Sequence, residues 1–192
     1  PCMNSSIEFD VDLIQRYDLA GPRYTSYPTA VQFHNQFDET EYLQAIHDSN
    51  ASQRPLSLYV HLPFCGTVCY YCACNKIITA NRKRASPYLD DLHQEIELQA
   101  ARFTEKRPVS QLHFGGGTPT FISDDEITCL MNKLRQHFYL LEEDKGDYSI
   151  EIDPREVTPA KIVLLRQLGF NRMSFGVQDF DPKVQVAVNR IQ

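Results

Sequence analysis

The chain has 192 residues, 42% of them apolar, and a formal net charge of −6, a composition able to build one well-buried core. The acidic balance argues against nucleic acid or an acidic membrane surface as the main partner. No run of about 18 apolar residues is present, so no transmembrane helix is expected. Pro1-Cys2-Met3-Asn4-Ser5 lacks the basic-then-apolar order of a secretory signal, and Met3 behind Pro1-Cys2 reads as a cloning edge. Of six cysteines, Cys65, Cys69, Cys72 and Cys74 lie too close together to close useful disulfide loops. A metal site in a reducing, cytoplasmic setting is the expectation. Cys2 and Cys129 stand outside the group, with no role assigned.

Residues 1–54 read as a polar, loop-rich extension and residues 55–192 as the main domain. In the extension, residues 12–17 predict a short helix stopped by Gly21-Pro22. Pro22-Arg-Tyr-Thr-Ser-Tyr-Pro28 reads either as a surface loop pinned by aromatic packing or as a segment lying over a site. Asp38 and Glu41 have capping-box spacing and predict a helix over residues 39–47, with residues 49–55 as a linker.

From residue 56 the pattern becomes strand, loop, helix, repeated. Residues 56–62 alternate, with Leu58, Val60 and Leu62 on one parity and Tyr59 and His61 on the other. After the cysteines and a basic run, Arg82-Lys-Arg84, Ser86 and Pro87 predict a helix N-cap and first position. A strand over residues 109–114 runs into Gly115-Gly-Gly-Thr-Pro119, and Ser123 with Glu126 predicts a capped helix. A third strand, residues 148–153, precedes a helix with Thr158 as N-cap, Pro159 in its first turn and Gly169 as its stop. A fourth, residues 171–175, leads through Gln178 to a helix opened by Asp181-Pro182. Such alternation calls for a parallel α/β sheet with right-handed crossovers.

Several strands then carry one apolar face and one polar face. In parallel sheets and barrels, ligands bind at the C-terminal strand ends, where Tyr59 and the cysteines, the glycine triplet, Glu151 and Gln178 fall. Closely spaced thiolates select zinc or iron–sulfur clusters. Structural zinc usually joins separated ligand pairs, whereas C-x3-C-x2-C directly after a strand suits a cluster held through three cysteines with one iron open. The glycine triplet exposes backbone to a ligand or simply makes a tight turn; no Gly-Lys-Ser/Thr follows, so it is no phosphate loop.

These motifs resemble the oxygen-independent coproporphyrinogen III oxidase family of radical S-adenosylmethionine (SAM) enzymes. The resemblance runs through Pro22–Pro28, Leu58-Tyr-Val-His-Leu-Pro-Phe-Cys65, Cys69-Tyr-Tyr-Cys72-Ala-Cys74, His113-Phe-Gly-Gly-Gly-Thr-Pro119, Ile150-Glu-Ile-Asp-Pro-Arg-Glu156 and Val188-Asn-Arg190. It implies a partial parallel (β/α) barrel, of which about four βα units are present. It also implies that Cys65, Cys69 and Cys72 hold a [4Fe–4S] cluster whose fourth iron takes SAM, with Tyr59, Gly116 and Glu151 helping to bind it. Tyr71, Gly117, Thr118, Gln178 and Arg190 match positions of a second SAM, and Cys74 a position that matters for activity without ligating the cluster. Arg23 is a candidate substrate contact. The implied reaction is oxidative decarboxylation of two propionates of coproporphyrinogen III to vinyl groups, giving protoporphyrinogen IX, through a 5′-deoxyadenosyl radical. It needs a reducing electron donor.

The family's whole proteins have further barrel units and a C-terminal domain, and are expected as monomers. A fragment of this length is expected to expose an open sheet edge, to be poorly soluble and to lack turnover. The anionic tetrapyrrole needs local cations; the 82–84 run is a candidate but reads more simply as a solvated loop. A haem chaperone of the same superfamily is the competing function, against which Cys74 and the Arg23 segment speak. A structural zinc module is the third.

Overall fold

The computed structural model describes residues 9–18, 29–104 and 106–192. Cys2, Arg23 and the 22–28 segment lie outside the described residues. The chain divides into two compact units, one ending at Leu43 and one beginning at Gln44. In the first, helix α1 (Val11–Tyr17) starts because the Asp10 carboxylate accepts from the Leu13 amide at 2.9 Å, which satisfies one orphan donor of the first turn. Helix α2 (Glu39–Ser52) has the expected box: Asp38 Oδ1 accepts from the Glu41 amide at 3.1 Å and Glu41 reaches back to the Asp38 amide at 3.3 Å.

The linker expected from residue 49 is instead helical as far as Ser52. Side chains that only the fold brings near hold this end: Asn50 donates to the Arg102 carbonyl at 3.0 Å, and Arg107 donates to the Ser49 hydroxyl at 2.9 Å. The helix stops where Gln53 turns left-handed, at φ 52°.

Strand β1 (Leu56–Leu62) has its expected limits. Short strands β2 (Phe64–Cys65) and β3 (Ile77–Ile78) pair in parallel and bracket the cysteine loop. Helix α3 (Ala85–Ala100) follows a 3-10 turn over Arg82–Arg84. Ser86 therefore lies inside the first turn and is not the N-cap. Asn81 does the capping one turn earlier, accepting from the Lys83 amide at 3.1 Å. Strand β4 (Pro108–Gly116) leads to helix α4 (Asp124–His137), whose capping box between Ser123 and Glu126 is complete. Strands β5 (Tyr139–Leu140) and β6 (Asp147–Ile152), helix α5 (Pro159–Gln167), strand β7 (Arg172–Phe175) and helix α6 (Pro182–Ala187) complete the order. Thr158 and Asp181 cap α5 and α6, each followed by proline. Among the described residues no helix is long and apolar enough to cross a membrane.

The main sheet is parallel throughout, in the order β1-β4-β6-β7, with β5 also on β4. Strand alternation decides what each face meets. Val60, Leu62, Leu112, Phe114, Ile150 and Ile152 are buried in one core with Leu89 and Ile96 of α3, Ile127, Leu130, Met131 and Leu134 of α4, and Leu165 of α5. On the opposite face, register sets Tyr59 beside His113, His113 beside Ser149 and Ser149 beside Arg172. β7 is less covered than its alternation predicts, with Phe175 and Val177 both exposed.

Candidate active site

The cysteine loop leaves β1 at Pro63 and is held at both ends by backbone. The Ile77 amide donates to the Pro63 carbonyl at 2.7 Å and the Thr79 amide to the Cys65 carbonyl at 2.9 Å. Lys76 Nζ clips the middle, donating to the Cys72 carbonyl at 2.8 Å. Beside the loop runs the glycine turn: the Gly117 amide donates to the Leu62 carbonyl at 2.9 Å and the Thr118 amide to the Phe64 carbonyl at 2.8 Å. Glycine is required here. Gly116 has φ +122°, and a Cβ on Gly117 would lie 2.8 Å from Cys65 Sγ and 2.7 Å from the Pro63 carbonyl oxygen.

Between them opens a cleft of about 280 Å3. Its walls include Cys65, Cys69, Cys72, Cys74, Tyr71, Gly116, Gly117, Thr118, Glu151, Gln178 and Arg190, so among the described residues every expected site residue except Tyr59 shares one cavity. Tyr59 lies outside the lining. It is 60% exposed, with its ring stacked on His113 at 5.7 Å and its hydroxyl 2.9 Å from His61 Nδ1. Burial, then the charges of Glu151 and Cys74, push the Tyr59 phenol up.

Glu151 joins the glycine turn to the polar face. Its Oε2 accepts from the Gly116 amide at 3.3 Å and its Oε1 lies 3.3 Å from His113 Nε2, while His113 Nδ1 is 2.7 Å from the Ser149 hydroxyl. Asp153, Arg155 and Lys76 also line the cleft. Arg155, His61 and His113 carry no signal beyond membership in the quoted motifs, and Lys76 lies two residues past the quoted cysteine motif. A polar residue at a strand end was the one available cue for Asp153. Arg82, a candidate substrate cation, is committed elsewhere: it lies over the Phe121 ring at 4.8 Å and pairs with Glu156 at 2.5 Å.

The donor set fits an iron–sulfur cluster. Cys65, Cys69, Cys72, Cys74 and Cys129 are all free thiols, and soft thiolates are the usual cluster ligands. Among the described residues no three His, Cys, Asp or Glu side chains converge as ligands of a single metal ion. Arg190 Nε is buried without a hydrogen-bond partner, as expected of a donor beside a site for a further group. Burial pushes the Cys65 thiol up; a hydrogen bond from the Thr118 hydroxyl, at 3.7 Å, opposes it, and the neighbouring Cys72 and Cys69 add to it.

A parallel sheet whose strand ends gather three thiols, a glycine turn and a carboxylate is the layout of a radical SAM site, and residues 59–192 match the sequence model of the Radical SAM superfamily. Over 190 residues the chain is 58% identical to the oxygen-independent coproporphyrinogen III oxidase of Pseudomonas aeruginosa, covering 99% of this chain and 41% of that protein. A Mannheimia haemolytica protein of the same name is 45% identical over 150 residues, covering 78% of this chain and 99% of the relative. The solved coproporphyrinogen III oxidase from Escherichia coli, described as a radical SAM enzyme, superposes with a TM-score of 0.81 at 48% identity, over 96% of this chain and 40% of that one. The chain therefore belongs to the radical SAM superfamily and, within it, to the oxygen-independent coproporphyrinogen III oxidase family. It spans about two fifths of the length of the P. aeruginosa and E. coli relatives.

Proposed function

We propose that this chain provides the cluster- and SAM-binding part of an oxygen-independent coproporphyrinogen III oxidase, acting in oxidative decarboxylation of two propionates of coproporphyrinogen III. The observation that carries this reading is the meeting of Cys65, Cys69 and Cys72 with the Gly116–Thr118 turn, Glu151, Gln178 and Arg190 around one cleft. Cys65, Cys69 and Cys72 would hold the [4Fe–4S] cluster. When bound, the cluster and SAM supply reductive cleavage of a carbon–sulfur bond and the hydrogen abstraction that follows.

The protein's own share is placement. Glu151 offers a carboxylate to an ammonium group, and the side-chain-free turn lets a ligand approach the backbone. Arg190 brings a fixed positive charge. Tyr59, Gly116 and Glu151 are assigned to the SAM on the open iron. Tyr71, Gly117, Thr118, Gln178 and Arg190 are assigned to a second SAM, and Arg23 to the substrate. Cys74, exposed at the cleft rim, is assigned to activity and not to ligation. The reading carries with it a reduced one-electron donor, a cytoplasmic setting, a whole protein that works as a monomer, and a division into an extension (1–54) and a barrel part (55–192).

Anaerobic reconstitution, followed by iron analysis and electron paramagnetic resonance with and without SAM, tests it. Four irons and a SAM-dependent change of spectrum are expected. Zinc in place of iron, or tight haem binding without SAM cleavage, overturns it. Cys72→Ala retaining an unchanged cluster overturns the ligand assignment.

A further inference from the structure

The Cys69 sulfur faces a charge cluster that two of the quoted motifs build only together. Arg190 Nη1 donates to Cys69 Sγ at 3.5 Å and pairs with Asp153 Oδ2 at 3.1 Å, while its Nη2 donates to the Gly176 carbonyl at 2.9 Å. Asp153 is gripped from its other side by Arg155, whose Nη2 donates to Oδ2 at 2.7 Å and Nε to Oδ1 at 3.0 Å. The Asp153 side chain is 5% exposed and that of Arg190 12%. Two guanidiniums thus share one buried carboxylate, and the group keeps an excess positive charge. Buried charge is tolerated only where it is compensated. That excess positive charge lies in contact with the Cys69 sulfur through Arg190 Nη1.

Resting on the reading of Cys69 as a cluster ligand, we propose that Arg190, held in place by Asp153, is a positioning residue that donates a charge-assisted hydrogen bond to the Cys69 sulfur and so raises the reduction potential of the cluster. The electron comes from an external low-potential one-electron reductant, and no proton or bond changes in the step. Reduction adds one negative charge to the cluster. A donor and a positive charge at a ligand sulfur favour the reduced form, because hydrogen bonds to sulfur and local charge are what the protein uses to set such potentials. This action needs no SAM. It is therefore separable from the contact with a second SAM assigned to the same side chain.

The test is the midpoint potential of the reconstituted cluster in the full-length protein, titrated without SAM and read by electron paramagnetic resonance, after iron analysis. Arg190→Gln is expected to shift the one-electron equilibrium about tenfold against reduction, a midpoint more negative by about 59 mV. Arg190→Lys, which keeps the charge but not the fork, is expected to fall between. In the unaltered protein, an iron–sulfur stretching band sensitive to deuterium exchange is expected and is weakened in Arg190→Gln. Four bound irons with an unchanged SAM-free midpoint in both variants, or no deuterium-sensitive band, overturns the proposal. Failure to bind four irons in the unaltered protein overturns the cluster reading instead.

Discussion

Gly117 is where a single hydrogen atom decides whether the site can form. Its missing Cβ leaves the room that Cys65 Sγ and the Pro63 and Phe64 carbonyl oxygens occupy, at 2.8, 2.7 and 2.8 Å. Two of these three neighbours are backbone and cannot rotate away. Gly117→Ala is expected to destabilise the fold by about 1–3 kcal/mol, the usual cost of overpacking, and to displace Cys65 enough to cut bound iron on reconstitution. Gly66→Ala is the contrast, because its Cβ would meet only the Glu156 carboxylate at an ordinary 3.4 Å. Thermal melts and iron-to-protein ratios of the two variants check this; equal iron loading would refute it. The need for glycine was visible in Gly115-Gly-Gly, but not that Gly117 would be the one pressed against Cys65. Asp153 shows the same limit. Burial alone would raise its carboxyl, but hydrogen bonds from Arg155 and the charge of Arg190 hold it below the usual carboxylate range, and Arg190 lies far along the chain.

Among elements, α5 is tied back to the turn between β5 and β6 through one ion pair. Arg166, in its last turn, donates to both Asp144 oxygens, at 2.6 and 2.7 Å. The Arg166 hydrogen bond holds the Asp144 carboxyl below its ordinary value. A carboxyl depressed on folding contributes stability that is fully present above its unfolded pKa of about 3.9. That contribution disappears as pH falls through the folded value. The pair is half-exposed, so its effect is small and screened by salt. Asp144→Asn is expected to lower the urea midpoint slightly at pH 7 and to remove part of the decline below pH 4. At about 1 M salt the two proteins should converge; a salt-independent difference would contradict this account. Other elements were legible to different degrees. β1 was plain because seven residues alternate between core and polar face. The two-residue strands β2, β3 and β5 are too short to show a period. They exist because larger elements bring their backbones together.

For the barrel unit beginning at Gln44, the decisive contacts span most of its sequence. The segment after α6 folds back on the cysteine loop: the Tyr70 amide donates to the Val188 carbonyl at 3.0 Å, and Asn189 Nδ2 donates to the Val68 carbonyl at 2.7 Å. Asn189 sits at φ 55°, a left-handed conformation that asparagine accepts more readily than most residues. The strap delivers Arg190 to Cys69. Asn189→Ala loses both the donor and the tolerance for that φ, whereas Asn189→Gly loses the donor alone. Both are expected to raise amide exchange at Tyr70, the alanine variant by about tenfold, which corresponds to about 1.4 kcal/mol of local opening. Unchanged exchange at Tyr70 would show that the strap does not hold the loop.

By itself the sequence determined the class of site and the parallel α/β order. Cysteine spacing, alternation and capping residues are local, and each reports on chemistry or backbone within a few positions. Only the tertiary structure decided which of those residues meet. It left Tyr59 on the polar face beside His113, outside the cleft lining, and committed Arg82 to Glu156. It also set a buried carboxylate between Arg155 and Arg190 at the Cys69 sulfur. Such contacts depend on strand register and on segments about 120 residues apart, distances over which periodicity carries no information.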